Sequence, residues 1–168
     1  MDDALNDALD DEARVDYTGA VYGSLLAASV VAGTSPAKDP PAGFVLSVLI
    51  VATGLVFWLA HVYARLVGER RKRELLTWRQ VRRVGTHERP LAEAALPPAL
   101  AAMAGWAVGL PPGATAWLAL VTALAGQVVW AAVAGAKAGI GTRLVVFAAV
   151  GNLLIGSIIV ALKVALAH

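Results

Sequence analysis

An apolar stretch at residues 43–64 limits what this chain can fold into. His61 is its only strongly polar member, and a helix of this length, at about 1.5 Å per residue, crosses the ~30 Å hydrocarbon core of a bilayer. Residues 65–89 follow at once and contain nine Lys or Arg against three Glu. Short loops that are rich in Lys and Arg stay on the cytoplasmic side of a membrane. The junction therefore predicts a membrane span that ends in the cytoplasm.

The composition agrees with a membrane protein. Of the 168 residues, 58% are hydrophobic and 15% are charged, whereas soluble domains carry about a quarter charged residues. Seven carboxylates and one Arg fall in residues 1–16, which we interpret as an acidic cytoplasmic arm. This arm could collect cations, strap onto the basic loop, or be a solvated tail.

The apolar runs predict an all-α fold, a polytopic membrane helix bundle with five transmembrane helices. Their predicted bounds are 17–33, 43–64, 91–110, 115–136 and 144–167. Lys38 is the only basic residue in the predicted outer loops. We therefore expect a cytoplasmic N-terminus and an outer C-terminus, in a bacterial-type cell membrane. The chain then divides into the arm, 1–16, and a transmembrane domain, 17–168, with a basic cytoplasmic loop at 65–90.

Two of these spans look alike in sequence. A Pro-Pro pair precedes the second span and another precedes the fourth. In both spans a cation follows a Trp by seven residues, Arg65 after Trp58 and Lys137 after Trp130. Spans one-two and three-four are either parallel repeats of one hairpin or a coincidence of low complexity.

The basic loop has its own predicted helix. Thr77 and Gln80 have the spacing of a capping box, which starts a helix. The side chains predicted to face the lipid boundary are Trp78, Val81 and Val84, and those predicted to face anionic headgroups or solvent are Arg79, Arg82 and Arg83. Nucleic acid is not an expected partner for a basic run so close to a bilayer.

Polar residues inside the predicted spans are the candidate functional residues, because burying them in a membrane is costly. They are His61 near the inner boundary, Gln127 and Asn152 near mid-membrane, and Lys163 near the outer face. Each has a structural alternative. His61 could bond a carbonyl or a headgroup, Gln127 and Asn152 could join helices, and Lys163 could reach the interface.

The third predicted span contains two further features. Pro97-Pro98 removes two backbone donors and is expected to kink the helix, and broken helices often line sites in transporters. Glu93 lies at the inner end of this span, level with Arg65, so we predict an ion pair between them at the inner mouth.

The sequence does not indicate an enzyme. It has no cysteine, no GxSxG, no HExxH and no phosphate loop, and its three histidines lie in different regions. No cofactor is expected, and whether a metal ion binds stays open.

Parts of the chain resemble the vacuolar iron transporter family. Residues 21–33, VYGSLLAASVVAG, are similar to its first span and share Gly23, Ser29 and Gly33 with it. Residues 59–75 are similar to the end of its second span, with Tyr63 and a basic continuation, and AGAKAG at 134–139 is similar to the end of its fourth. The resemblance implies five spans, a cytoplasmic N-terminus and a cytoplasmic connection after span two.

The family's metal-binding carboxylates are missing here. Its first-span Asp falls on Tyr22 and its second-span Glu on Val62, beside His61. A Tyr–Val pair cannot replace carboxylate ligands of a divalent cation, so we do not expect iron transport by the family's mechanism. Tyr22, His61 and Tyr63 could form another polar site near the inner mouth.

Two functions fit these observations. The first is a transporter or channel for a small ion, working as a homo-oligomer because five short spans enclose little by themselves. The second is a non-transporting scaffold or accessory subunit that uses the basic loop to bind a partner or anionic lipid. Architecture favours transport.

Overall fold

The computed structural model describes residues 17–34, 40–68, 77–137 and 141–166. Every regular element in these ranges is an α-helix. The helices are α1 Tyr17–Thr34, α2 Gly43–Gly68, α3 Trp78–His87, α4 Arg89–Glu93, α5 Leu96–Ala107, α6 Pro112–Lys137 and α7 Thr142–Leu166. The predicted acidic arm, residues 1–16, lies outside the described residues. The all-α prediction is confirmed for the described part of the chain.

Two of the described helices, Gly43–Gly68 and Pro112–Ala136, are long and apolar enough to cross a membrane. Their mean hydropathy values are 2.4 and 1.8, and only 28% of each apolar window is buried. Large apolar side chains therefore cover the outside of the bundle, among them Phe44, Leu55, Val56, Trp117 and Val121. Shorter apolar helical stretches lie at Gly19–Thr34, within α1, and at Ala149–Ile158, within α7.

The third predicted span is two helices rather than one kinked helix. α4 ends at Glu93, two turn residues follow, and α5 begins at Leu96. Pro97 and Pro98 fall in the first turn of α5, where the backbone N–H groups have no intrahelical partner and a proline costs little. The prolines therefore start a helix here instead of bending one.

α5 ends in a Schellman motif. Gly109 has a φ of 77°, a left-handed conformation that favours glycine. Its N–H donates to the carbonyl of Trp106, and the N–H of Leu110 donates to that of Gly105. The chain then turns back into α6, which begins at Pro112.

The core is built mainly from small side chains. α6 packs against α1, α5 and α7, while α2 packs against α5, α1, α4 and α3. The buried cluster consists of Ala27, Ala28, Val31, Leu46, Ile50, Ala95, Ala99, Ala102, Ala116, Ala119, Leu120 and Ala123. Small residues let helix backbones approach closely, which is how helices associate without a large apolar core.

The glycines of α1 serve this close approach. A Cβ at Gly23 would collide with the backbone carbonyl oxygen of Leu91 in α4, and one at Gly19 would lie 3.6 Å from Leu91 Cβ. These glycines thus give α1 a small-residue face. The helix that it accommodates is the short α4, which is also part of the break in the third predicted span.

Contacts between residues of different helices show which helix ends lie together at one end of the bundle. Tyr22 near the start of α1 contacts His61 near the end of α2, and Gly126 of α6 lies beside Ser24 of α1. Asn152, ten residues into α7, donates to the carbonyl of Gln127, which lies ten residues before the end of α6. α1 and α7 therefore begin where α2 and α6 finish. We call this the basic end, because Arg65 and Arg143 lie there with α3.

Candidate functional site

The amide side chain of Gln127 is completely buried within the bundle. Its Nε2 and Oε1 have no hydrogen-bond partner among the described groups. Buried polar groups are nearly always paired, and each unpaired one costs about 1–3 kcal/mol. Gln127 is therefore the described residue whose chemistry is least explained by folding.

Asn152 of α7 lies next to Gln127 but does not satisfy its side chain. The Asn152 Nδ2 donates to the backbone carbonyl oxygen of Gln127 at 3.3 Å, which joins α7 to α6. The predicted pair is thus brought together. Gly156, one turn further along α7, makes room for the amide, because a Cβ there would lie 2.7 Å from Gln127 Oε1.

A third polar residue, Ser24, lies on the other side of α6. Its hydroxyl is completely buried and donates to the carbonyl of Ala20 at 2.9 Å. A Cβ at Gly126 would be 3.4 Å from this hydroxyl oxygen, so Ser24 lies against the residue that precedes Gln127. We call Ser24, Gln127 and Asn152 the polar centre.

The three members of the polar centre lie at one level of the bundle. Each is about seven to ten residues from the end of its helix at the basic end, or roughly 10–15 Å at 1.5 Å per residue. The three side chains are neutral hydroxyl and amide groups. Such groups can hydrogen-bond a neutral or singly charged species, but they offer no countercharge to a multivalent ion.

Tyr22 and His61 form a separate contact between α1 and α2. Their ring centroids are 5.5 Å apart, with the planes tilted by 49°. His61 Nδ1 donates to the carbonyl of Phe57 at 3.1 Å, the carbonyl partner expected of a structural histidine. Tyr22 is 40% exposed, so this pair lies at the surface of the bundle.

The other predicted site residues do not join either group. Tyr63 is two residues from His61, which is about 200° around the helix, and it is 70% exposed. Tyr22 and Ser24 are separated in the same way on α1, so the two polar groups lie on opposite sides of that helix. The side chain of Lys163 lies outside the described residues.

The ion pairs at the basic end differ from the predicted one. Arg65 Nε lies 2.8 Å from Oε1 of Glu88, a buried carboxylate at the junction of α3 and α4. Glu93, the partner predicted for Arg65, pairs with Arg89 one turn earlier in its own helix. The turn at Glu88 brings that carboxylate under the end of α2, which the sequence did not reveal.

α3 is held against α2 by its own contacts. The predicted capping box is confirmed, since Thr77 accepts from the backbone of Gln80 and the Gln80 side chain accepts from the backbone of Thr77. Trp58 Nε1 donates to the carbonyl of Gly85 at 3.0 Å. Val84 is buried in the protein, which corrects its predicted place at the lipid boundary.

Comparisons with known proteins gave no match that bears on this geometry. No family model, curated protein or solved structure matches the chain. The described residues also contain no group of three or more His, Cys, Asp or Glu that could hold a metal ion. At the two positions where the resemblance placed carboxylates, Tyr22 contacts His61 and Val62 is buried.

Two of the residues found here were missed from sequence. Ser24 continues the buried stripe of Ala20 and Ala28 at four-residue spacing, so the period of α1 could have found it. Glu88 is the third of only three Glu in the basic run, and nothing in its spacing separates it from the others.

Proposed function

We propose that this protein is a multi-pass membrane protein that carries a small ion or polar solute across a cell membrane. The two long apolar helices and the apolar outer surface support insertion in a bilayer. In this proposal α1, the α4–α5 pair and α7 cross with them, with the basic end in the cytoplasm.

The observation that carries the proposal is the unpaired amide of Gln127. A fully buried donor and acceptor without partners destabilise a fold, and a polar group at membrane depth is a candidate for a substrate pathway. A passing species that accepts from Nε2 or donates to Oε1 would recover this energy. Ser24 and Asn152 would bracket it from α1 and α7.

The chemistry of the polar centre sets the class of that species. Neutral oxygens and amides favour a monovalent cation or a small neutral molecule over Fe²⁺ or Mn²⁺. Tyr22 and His61, on the far side of α1, would then act as a helix contact rather than as ligands. We also propose a homo-oligomer, because a bundle of this size encloses little space by itself.

The test is flux into liposomes that contain the purified protein. K⁺, H⁺, methylammonium, Fe²⁺ and Mn²⁺ are each offered to the wild type and to Gln127→Met, which removes the amide but keeps an unbranched side chain. We expect flux of a monovalent or neutral species that falls about tenfold or more in the variant, the equivalent of one ~1.4 kcal/mol hydrogen bond.

Serine variants provide a matched comparison. Ser24, Ser29 and Ser157 each donate to the carbonyl four residues earlier, but only Ser24 belongs to the polar centre. Ser24→Ala should reduce flux, while Ser29→Ala and Ser157→Ala should leave it unchanged. Equal flux in wild type and Gln127→Met would show that the polar centre does not lie on the transport pathway. Silence for every species from folded protein favours the scaffold function instead.

A further inference from the structure

The Gln127 side chain carries two different hydrogen-bonding groups that the described part of the protein leaves unpaired. Its Oε1 can only accept a hydrogen bond, and its Nε2 can only donate one. Both atoms are buried, and neither has a partner among the described groups. A ligand must therefore supply a donor and an acceptor together if it is to pair the whole amide.

The other two members of the polar centre make hydrogen bonds to main-chain groups. Asn152 donates to the main-chain carbonyl of Gln127 and not to its side chain. The Ser24 hydroxyl donates to the carbonyl of Ala20 within α1. The first bond holds α7 against α6 and the second stays inside one helix, so the Gln127 amide is the group of the polar centre that is left for a ligand.

Gly156 of α7 keeps the space beside the amide oxygen open. It is buried, and a Cβ added there would lie 2.7 Å from Gln127 Oε1 and 2.6 Å from Leu124 Cδ2. A side chain at position 156 would therefore displace the amide. Gly151 of the same helix is different, because a Cβ added there meets nothing within 4 Å.

An ion pairs only half of this amide. A bare cation coordinates Oε1 and leaves Nε2 unpaired, and an anion does the reverse. The group that stays unpaired remains unfavourable, and the ion also loses its hydration on entry. A neutral molecule that both donates and accepts can pair the two ends of the amide and has no charge to desolvate.

We infer that the polar centre takes a small neutral solute of the urea or primary-amide class. Such a molecule carries an N–H and a carbonyl oxygen side by side, so one of its edges pairs with the Gln127 amide through two hydrogen bonds at once. The assignment rests on the transport function proposed above, and it narrows the solutes of that function to one neutral class.

The test is flux into liposomes that contain the purified protein. Urea and formamide entry is followed by stopped-flow light scattering, and K⁺ and methylammonium entry by tracer uptake with a protonophore present to prevent charge build-up. Protein-free liposomes give the background for each solute. We expect urea and formamide to enter faster than this background and both cations to stay at it. Methylammonium is smaller than urea, so its exclusion cannot result from sieving by size.

Three variants connect the flux to the amide. Gln127→Met removes the donor and the acceptor together, and urea flux should fall about tenfold or more. Gly156→Ala should also lower urea flux, while Gly151→Ala, the matched control on the same helix, should leave it unchanged. Gln127→Met keeps the test decisive if Gly156→Ala does not fold, because methionine removes the unpaired amide without adding a branch.

The outcomes separate the solute class from transport itself. Cation flux that equals or exceeds urea flux, and that is lost in Gln127→Met, overturns the inference and leaves the transport function standing. Urea flux that is unchanged in Gln127→Met also overturns the inference. Background rates for every solute, from protein shown to be folded, overturn the transport function and the solute class with it.

Discussion

Asn152 donates its side-chain amide to the main-chain carbonyl of Gln127, across the α6–α7 contact, at 3.3 Å. The Gln127 side chain therefore gains nothing from its nearest amide neighbour, and both of its polar atoms stay unpaired among the described residues. The two amides have opposite effects on the bundle. Asn152 joins two helices, whereas the side chain of Gln127 opposes folding, and the two should respond oppositely to replacement.

Replacing Gln127 with methionine should stabilise the protein. Met fills a similar volume and removes an unpaired donor and acceptor, each of which costs about 1–3 kcal/mol. We expect a gain of about 1 kcal/mol or more, measured as a higher unfolding midpoint in detergent. A lower midpoint would mean that the amide is paired in the folded protein and acts as interhelical glue.

Replacing Asn152 with leucine should lower the stability of the protein. It removes the described hydrogen bond between α6 and α7, and such bonds in membrane bundles contribute about 0.6 kcal/mol on average, with a maximum near ~1.7. We expect a loss within this range by the same unfolding measurement. Ser157→Ala, exposed one turn and a half further along α7, is the control and should change stability little.

Gly23 and Gly33 of α1 should respond differently when each is replaced by alanine. Gly23→Ala places a methyl group on the carbonyl of Leu91, so α1 and α4 must separate, at an overpacking cost of about 1–3 kcal/mol. A Cβ at Gly33 meets nothing within 4 Å, and Gly33→Ala should stabilise the helix by up to about 1 kcal/mol. The difference in unfolding free energy between the two variants is the measurement. Equal effects would show that α4 does not pack closely on α1.

The docking of α3 should depend on one indole N–H. Trp58→Phe keeps an aromatic ring, although a smaller one, and removes the N–H donor to Gly85, a loss of about 1 kcal/mol that acts locally. Amide hydrogen exchange within α3 should then become about fivefold faster, with little change in α6. Trp117→Phe, on the exposed surface of α6, is the control. Unchanged exchange in α3 would contradict the docking role of Trp58.

The long apolar helices were the part of the fold that the sequence could predict. The second predicted span, 43–64, is found as Gly43–Gly68, and the fourth, 115–136, as Pro112–Lys137. Both are uninterrupted apolar runs, for which length and composition are sufficient. The break before Leu96 was not predictable, because a Pro-Pro pair fits the first turn of a new helix as well as a kink in a continuous one.

The candidate site was predictable in part, from the residue types that stand out within an apolar helix. Gln127 and Asn152 stood out because amides are rare in apolar helices, and the structure brings them together. Ser24 was missed, although its four-residue spacing from Ala20 and Ala28 places it on the buried face of α1. Similarly, Glu88 and Glu93 carry equal charge and differ only in which side of a turn they occupy. Helix pairing is decided by tertiary packing, which composition does not encode.

The Arg65–Glu88 pair gives the last prediction, through a comparison of two double-mutant cycles. Glu88 is buried and links α2 to the α3–α4 junction, while Glu93 and Arg89 form an exposed pair within one helix. Exposed pairs at this spacing couple by about 0.3–0.5 kcal/mol. Because the Glu88 carboxylate is desolvated, we expect Arg65→Gln and Glu88→Gln to show a coupling of about 1 kcal/mol or more in unfolding free energy. A coupling no larger than that of Arg89→Gln and Glu93→Gln would mean that Glu88 does not anchor the basic end.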